Sequence, residues 1–408
     1  MRKLLQINPV LRKSTSTGRI MREIGDTVMA HGWESYIAYS QGRDGIMPCT
    51  SHIVPVGNKL DVLMHACGTR FFDRHGLCST RSTKKFVEQI EAINPDIIHI
   101  HNIHGYFLNY QVLFDYLRDT NRKVVWTVHD CWLYTGHCYH YSSAHCSKWK
   151  SGCGKCGQRK KFPASWFFDR SAKNYRDKKA AFTSLSRDNF VIVPVSEWMR
   201  KEMSASFLRD CKFRVIHNGI DLEKFRPLSD AAVRAKYAIN ELIIYLGVAS
   251  IWLKEKGLDD LLKIAQMLGD EERMIIVGAI PDKNVKMPDK VTYIPRTEDV
   301  NELVELYSAA TVFLNPTWQD NYPTVNLESM ACGCPVVSYR TGGSPESIIE
   351  GCGTIVEQGD FEGMFHVAHN VSRKNREEIR KKCVEHAQSN FSKNDRYKDY
   401  IDLYESML

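Results

Sequence analysis

Asp320 and Glu328 stand eight positions apart in the stretch DNYPTVNLESMACGCPVV, residues 320 to 337. A general acid/base pair needs both groups at one bond, and this spacing keeps them apart. TVFLNPT reads as a strand end, and NYPTVNLESMAC as the helix that follows. Pro323 is tolerated only in a first helical turn, so Asp320 or Asn321 is the expected cap. The opening amides of such a helix make an anion site. Positions 321, 324, 325 and 328 share one face, which places Glu328 about two turns along the same crevice with Asp320 at its mouth. The two acids then bracket a ligand, one holding a ribose and the other a hexose, with a diphosphate over the helix amides between them.

The elements that must position these groups recur along the chain. Short apolar strands alternate with helical patterns, which predicts parallel sheets flanked by helices. The first half offers KLLQIN, ESYIAYS, DIIHIHN, KVVWTVHD, NFVIVPVS and FRVIHNG; the second offers LIIYLGV, RMIIVGA, KVTYIP, TVFLNPT, PVVSYR and GTIVE. Each half has enough strands for its own doubly wound sheet. The polar stretch NGIDLEKFRPLSDAAVRAKYAIN carries Pro227 and predicts the connection between them. The expected organisation is an α/β fold of two Rossmann-like domains facing a central cleft. Residues 1–225 form the first, with a cysteine-rich insertion at about 131–180; residues 226–390 form the second. The amphipathic segment 391–408 is expected to pack back on the first. Ligands in such sheets bind beyond the carboxyl ends of the strands.

Several of these stretches resemble one family. An acidic residue, seven intervening positions, a Glu and then SMACGCPVV resemble the signature of retaining glycosyltransferases of family four, built on the GT-B fold. VIHNGIDLEKF is similar to that family's interdomain passage, RTGGSPESI to its Gly-Gly loop, and VVWTVHD to a strand ending in a sugar-proximal His. HNIHGYFLNY and TVHDCWLYTGHC look most like the branch that assembles bacterial capsular and exopolysaccharides such as colanic acid.

The resemblance implies a nucleotide-diphosphate sugar donor, UDP- or GDP-linked. It implies Glu328 on the ribose, Asp320 on hydroxyls of the transferred sugar, and Lys256 on the diphosphate, where a leaving group needs a cation. It implies catalytic roles for Asp320, Lys256 and His129, with His129 near the sugar. Asn321, Tyr322, Thr324, Lys254 and Arg296 would complete the donor site, and Gly18, in STSTGRI, would belong to a loop admitting the donor phosphates. No catalytic metal is expected. Asp320 stands where the family usually has Glu, and Pro323 where it usually has Gly.

HCYHYSSAHCSKWKSGCGKC breaks the alternation of strands and helices. Cys138, Cys146, Cys153 and Cys156 fall at intervals of eight, seven and three. The C-x-x-C half has the tight turn that zinc–thiolate sites use, so a closed, structural zinc is the expectation; free loop cysteines are the alternative. His99, His101 and His104 recur near period two, which predicts a strand end with one cleft-facing His in preference to a metal cluster.

Between 148 and 179 there are eleven Lys and Arg against two Asp, a net +9 that exceeds the whole chain's +7, and Trp166, Phe167 and Phe168 lie among them. Cations interleaved with aromatics fit an anionic membrane surface, where a lipid-linked glycan acceptor would lie; a solvated face is the alternative.

At 408 residues with 43% hydrophobic and 25% charged composition, the chain suits a folded two-domain protein. No apolar run approaches the roughly 18 residues that would cross a bilayer. The N-terminal MRKLLQINPV reads as a buried strand, so thirteen cysteines read as reduced thiols in the cytoplasm. Two other functions fit less of the sequence: an epimerase or hydrolase of nucleotide sugars on the same architecture, and a zinc-containing nucleic-acid-binding module, which would leave both sheets unexplained.

Overall fold

The computed structural model describes residues 1–12, 15–40 and 47–408. The chain divides into two compact units, Met1–Ile216 together with Tyr397–Leu408, and His217–Arg396.

The first unit is built on seven strands: β1 (Lys3–Ile7), β2 (Glu34–Tyr39), β3 (His52–Pro55), β4 (Ile97–Ile100), β5 (Val124–Val128), β6 (Phe190–Pro194) and β7 (Lys212–Phe213). They run in the order β3-β2-β1-β4-β5-β6-β7 with parallel pairing. Strands buried on both faces read as near-continuous apolar runs, and β4, β5 and β6 are buried at every position. Sequence reading anticipated β1, β2, β4, β5 and β6; the run FRVIHNG shares only Phe213 with β7, and β3 was missed. That strand is short, exposed at three of four positions, and ends in Pro55 at the edge of the sheet.

The last segment closes this unit's core. Tyr397, Tyr400, Ile401, Leu403 and Tyr404 pack with Leu4, Ile24, Val28, Ile97 and Val125. Burying four strands' worth of apolar surface beside polar groups requires the polar groups to be paired. His99, inside β4, takes a 2.8 Å bond with the Thr127 hydroxyl and a 2.7 Å bond with the Tyr404 hydroxyl. Thr127 in turn bonds the Tyr400 hydroxyl at 2.9 Å.

The second unit carries six strands: β8 (Ile243–Ile251), β9 (Glu272–Ala279), β10 (Val291–Ile294), β11 (Val312–Asn315), β12 (Val336–Tyr339) and β13 (Gly353–Val356). Their order is β10-β9-β8-β11-β12-β13, again parallel. In both sheets the chain order reverses beside the first strand, at β1/β4 and at β8/β11, and those are the points where crevices open.

Buried imidazoles give the first unit a pH dependence. Burial lowers His99 to about 3, and burial followed by the nearby Arg74 lowers His65 to about 3. Unfolded, each takes up a proton near the ordinary 6.5, so acid favours the unfolded chain. Stability should be full above pH 6.5 and fall as pH drops toward 3, with a limiting slope of about 1.4 kcal/mol per pH unit for each histidine. Urea unfolding midpoints measured between pH 7 and 4 check this; a level midpoint would show that these rings titrate normally.

Candidate functional site

The strongest cluster of the second unit forms at the β8/β11 reversal. β8 ends in a bulge, and the turn after it carries Lys254, Glu255 and Lys256. β11 runs into Pro316–Asp320, and Lys256 Nζ meets Asp320 Oδ2 at 2.8 Å. The two segments are tied at several points. Trp318 N–H donates to the Glu255 carbonyl at 2.8 Å, and the Trp318 indole donates to Asp260 Oδ2 at 3.1 Å. Asp260, buried, also accepts from the Tyr339 hydroxyl on β12.

Two glycines permit this approach. Gly257 has φ +78, and a Cβ there would strike the Pro316 carbonyl. Gly342, in the Gly-Gly loop after β12, has φ +53, and a Cβ there would strike the Asp320 carbonyl oxygen. Both positions also lie in the left-handed region that only glycine occupies at little cost.

The helix after Asp320 starts later than the sequence suggested. It spans Thr324–Ala331 with Pro323 at the cap position in extended conformation, and no side chain caps it. Asp320 and Asn321 therefore do not cap the helix: proline biases the residue before it away from helical geometry, and Asp320 is drawn to Lys256 instead. Glu328 lies on this helix, buried, and its Oε2 accepts from the Tyr307 hydroxyl at 3.3 Å. Tyr322 is buried and stacks on His217, with ring centroids 4.6 Å apart; His217 Nε2 lies 3.2 Å from Glu346 Oε2. Lys254 is exposed on the turn after β8. Arg296 is exposed beyond β10, at the edge of the sheet two strands from β8.

In the first unit, a small recess lies beyond β4 and β5, lined by His101, Asn102, His104, His129, Asp130 and Trp132 among others. His101 Nε2 bonds Gln6 Oε1 at 3.1 Å and its Nδ1 meets His129 Nε2 at 3.2 Å. An amide oxygen only accepts, so His101 is protonated on Nε2 and His129 donates to its Nδ1. Burial lowers His129 to about 4, which keeps it neutral near pH 7. Next to it, Asp130 Oδ2 lies 2.6 Å from His104 Nε2. Burial works to raise the Asp130 carboxyl, but the His104 ring and the Trp132 amide outweigh it and hold the group low.

Of the three period-two histidines, His99 and His101 are fully buried and bonded inside the sheet, and His104 pairs with Asp130. Gly18 is helical, in the opening turn of Ser16–Ala30 and not in a loop. Its close neighbours are Thr15 Oγ1 and the Val10 carbonyl oxygen.

The zinc expectation finds no site: among the described residues, no group of three or more His, Cys, Asp or Glu side chains is arranged to hold a metal ion. The thiols of Cys138, Cys153 and Cys156 have other partners. Cys138 and Cys156 hydrogen-bond each other, which raises the first thiol and lowers the second. Cys153 Sγ accepts from the Gly136 amide at 3.2 Å. Nor is the basic segment wholly solvated. Lys178 is buried, donating to the Trp132 and Thr135 carbonyls at 2.6 and 2.9 Å over the Trp132 ring.

Sequence reasoning had not singled out Tyr307, His217 or Asp260. His217 lies inside the motif VIHNGIDLEKF, and Asp260 inside LKEKGLDDLL, so those two were within reach. Tyr307 carries no local signal.

Comparison with known proteins agrees with this architecture. Residues 18–224, half of the chain, match the description "Glycosyltransferase Family 4", and residues 240–372 match "Glycosyl transferases group 1". The chain is 29% identical over 186 residues to D-inositol 3-phosphate glycosyltransferase of Mycobacterium sp. (strain JLS), a match that spans 42% of each chain. It is 21% identical over 366 residues, 87% of each chain, to WcaC of Escherichia coli (strain K12), which is named for colanic acid biosynthesis. Its fold is similar to that of sucrose-phosphate synthase from Thermosynechococcus elongatus, with a TM-score of 0.71 at 18% identity over 100% of this chain and 99% of that one. It is also similar to Anabaena Alr3699/HepE in complex with UDP, with a TM-score of 0.69 at 14% identity over 100% of both chains. A β8/β11 site fixed by a lysine–aspartate pair, two parallel sheets and a family match across half the sequence converge: the chain belongs to glycosyltransferase family four.

Proposed function

We propose that the protein transfers a sugar from a nucleotide-diphosphate sugar to a glycan acceptor with retention of configuration, in the cytoplasm, during assembly of a lipid-linked polysaccharide intermediate. The observation that carries this is the Lys256–Asp320 contact at the β8/β11 reversal, beside the uncapped start of the Thr324–Ala331 helix. An incoming diphosphate competes for the Lys256 ammonium and takes the opening amides of the helix. Asp320, released from its partner, then accepts from hydroxyls of the donor sugar. Glu328, with one oxygen held by Tyr307, accepts from the ribose hydroxyls. As the glycosidic bond breaks, negative charge collects on the leaving phosphate, and Lys256 stabilises it there more than in the ground state. The departing oxygen takes the acceptor's proton on the same face. We assign His129, neutral and with its one N–H given to His101, the role of accepting from a sugar hydroxyl.

Two relatives support the assignment to polysaccharide assembly. WcaC matches nearly end to end, and the Staphylococcus aureus protein CapM, named for capsular polysaccharide biosynthesis, is 23% identical over 241 residues. Family membership leaves the nucleic-acid reading without support. An epimerase or hydrolase would consume donor without an acceptor.

A thermal-shift panel of nucleotide diphosphates and nucleotide sugars should give a preferred ligand. Lys256→Ala should weaken its binding about 10–100-fold, the worth of a charged hydrogen bond; an unchanged shift would move the phosphate site elsewhere. Asp320→Asn should act in opposite directions on two readouts. It removes a competitor for Lys256, so the free nucleotide diphosphate binds at least as tightly as before, while sugar transfer falls by about 100-fold or more. If both readouts fell together, Asp320 would be holding the fold of the site and not the sugar.

A further inference from the structure

The Lys59–Phe72 helix is amphipathic with its faces reversed. Its buried residues are His65 and Thr69, both polar. Leu60, Leu63, Met64, Cys67 and Phe71 recur at helical spacing and face solvent, with Leu63 59% and Met64 65% exposed. A helix normally turns such a stripe inward. Here the inner face is claimed by polar bonds: His65 accepts from the Gly76 amide at 3.0 Å and bonds the Ser79 hydroxyl at 2.8 Å.

The stripe continues onto a second segment. Phe71 stacks on Phe167 at 5.7 Å and meets Trp166 edge-on at 5.5 Å, and Phe72 stacks on Phe168 at 5.9 Å. Phe167 and Phe168 are 66% and 55% exposed. These rings are held outward by the backbone. Trp166 N–H donates to the Arg70 carbonyl at 2.7 Å, Arg159 donates to the Trp166 carbonyl at 3.0 Å, and the Ser165 hydroxyl donates to the Phe168 carbonyl at 2.7 Å.

The rim is basic. Lys59, Arg70, Arg74, Lys160 and Lys161 are exposed around these two segments, with Arg70 over the Trp166 ring. Asp61 on the helix accepts from the Asn58 N–H, and Asp169, just past the second segment, accepts from those of Cys156 and Ser171. The patch presents apolar rings and a stripe of aliphatic side chains inside a rim where exposed Lys and Arg outnumber the acids.

We infer that this face, formed by the Lys59–Phe72 helix and residues 159–168, docks on an anionic lipid bilayer, with Leu63, Met64, Phe167 and Phe168 entering the headgroup boundary and the cations meeting lipid phosphates. Large exposed apolar patches mark interaction surfaces, and the positive rim selects a negatively charged, extended partner. The docking is independent of the donor chemistry proposed above, and none of these residues belongs to the donor site.

Co-sedimentation of the full chain with phosphatidylcholine vesicles containing phosphatidylglycerol, compared with phosphatidylcholine alone, tests it. Binding should require the anionic lipid and weaken as salt rises. Phe167→Ser with Phe168→Ser, and separately Leu63→Ser with Met64→Ser, should each lower the partition coefficient about tenfold or more. Lys160→Ala with Lys161→Ala should remove the preference for the anionic lipid. Brominated lipid should quench tryptophan fluorescence, and Trp166→Phe should abolish most of that quenching. Thermal response to the nucleotide diphosphate should be unchanged in all of these variants. Equal vesicle binding by the serine variants and the parent chain would overturn the inference. So would a parent chain that ignores vesicles but dimerises, with the serine variants monomeric, because the face would then pair with a second copy.

Discussion

The 2.8 Å contact between Lys256 and Asp320 organises the second unit's chemistry. Both partners keep some exposure, 38% and 19%, and such pairs contribute at most about 1 kcal/mol to stability. Its importance is therefore positional. It joins the turn after β8 to the segment after β11, the two sides of the point where the strand order reverses. Because the bond is weak, a polyanion can displace Asp320 at little cost. The backbone on either side is tied through Trp318 to the Glu255 carbonyl and to Asp260. A stronger, fully buried pair would hold its partners against any ligand.

The two units follow one rule with different contents. Each sheet is apolar through its middle and polar just beyond its carboxyl ends, since those ends leave backbone groups that side chains or ligands must satisfy. In the second unit this gives a charged site next to an uncapped helix. In the first it gives linked imidazoles, His101 to His129 and His104 to Asp130. Burial keeps His129 neutral, which suits a hydrogen-bonding role and not that of a fixed positive charge.

Much of the fold was legible because strands buried on both faces announce themselves as continuous apolar runs. Twelve such runs were read and eleven coincide with strands; FRVIHNG shares only Phe213 with the two-residue β7, and β3 escaped because an exposed edge strand ending in Pro55 carries no such run. The signature region was legible as a strand, a loop and a helix, but the helix start was not. Local rules allow Asp320, Asn321 or Pro323 to begin it, and a tertiary partner, Lys256, decides. The Lys59–Phe72 helix was harder still. Its periodicity is plain, yet nothing local reveals that His65, through Gly76 and Ser79, turns the polar face inward. Lys178 illustrates the same limit: it adds to a count of positive charge but lies buried against carbonyls and an indole.

Gly342 bears on how such an enzyme can diversify. Its missing side chain leaves room for the Asp320 carbonyl, and its backbone lies where other residues are strained. Side chains that touch a donor are free to vary as sugars and bases change from one enzyme to another. This position is not free in that way, because its constraint comes from the protein's own main chain. Loop grafting or random mutagenesis aimed at a new donor can redraw the walls of the pocket, provided that this glycine is carried through unchanged.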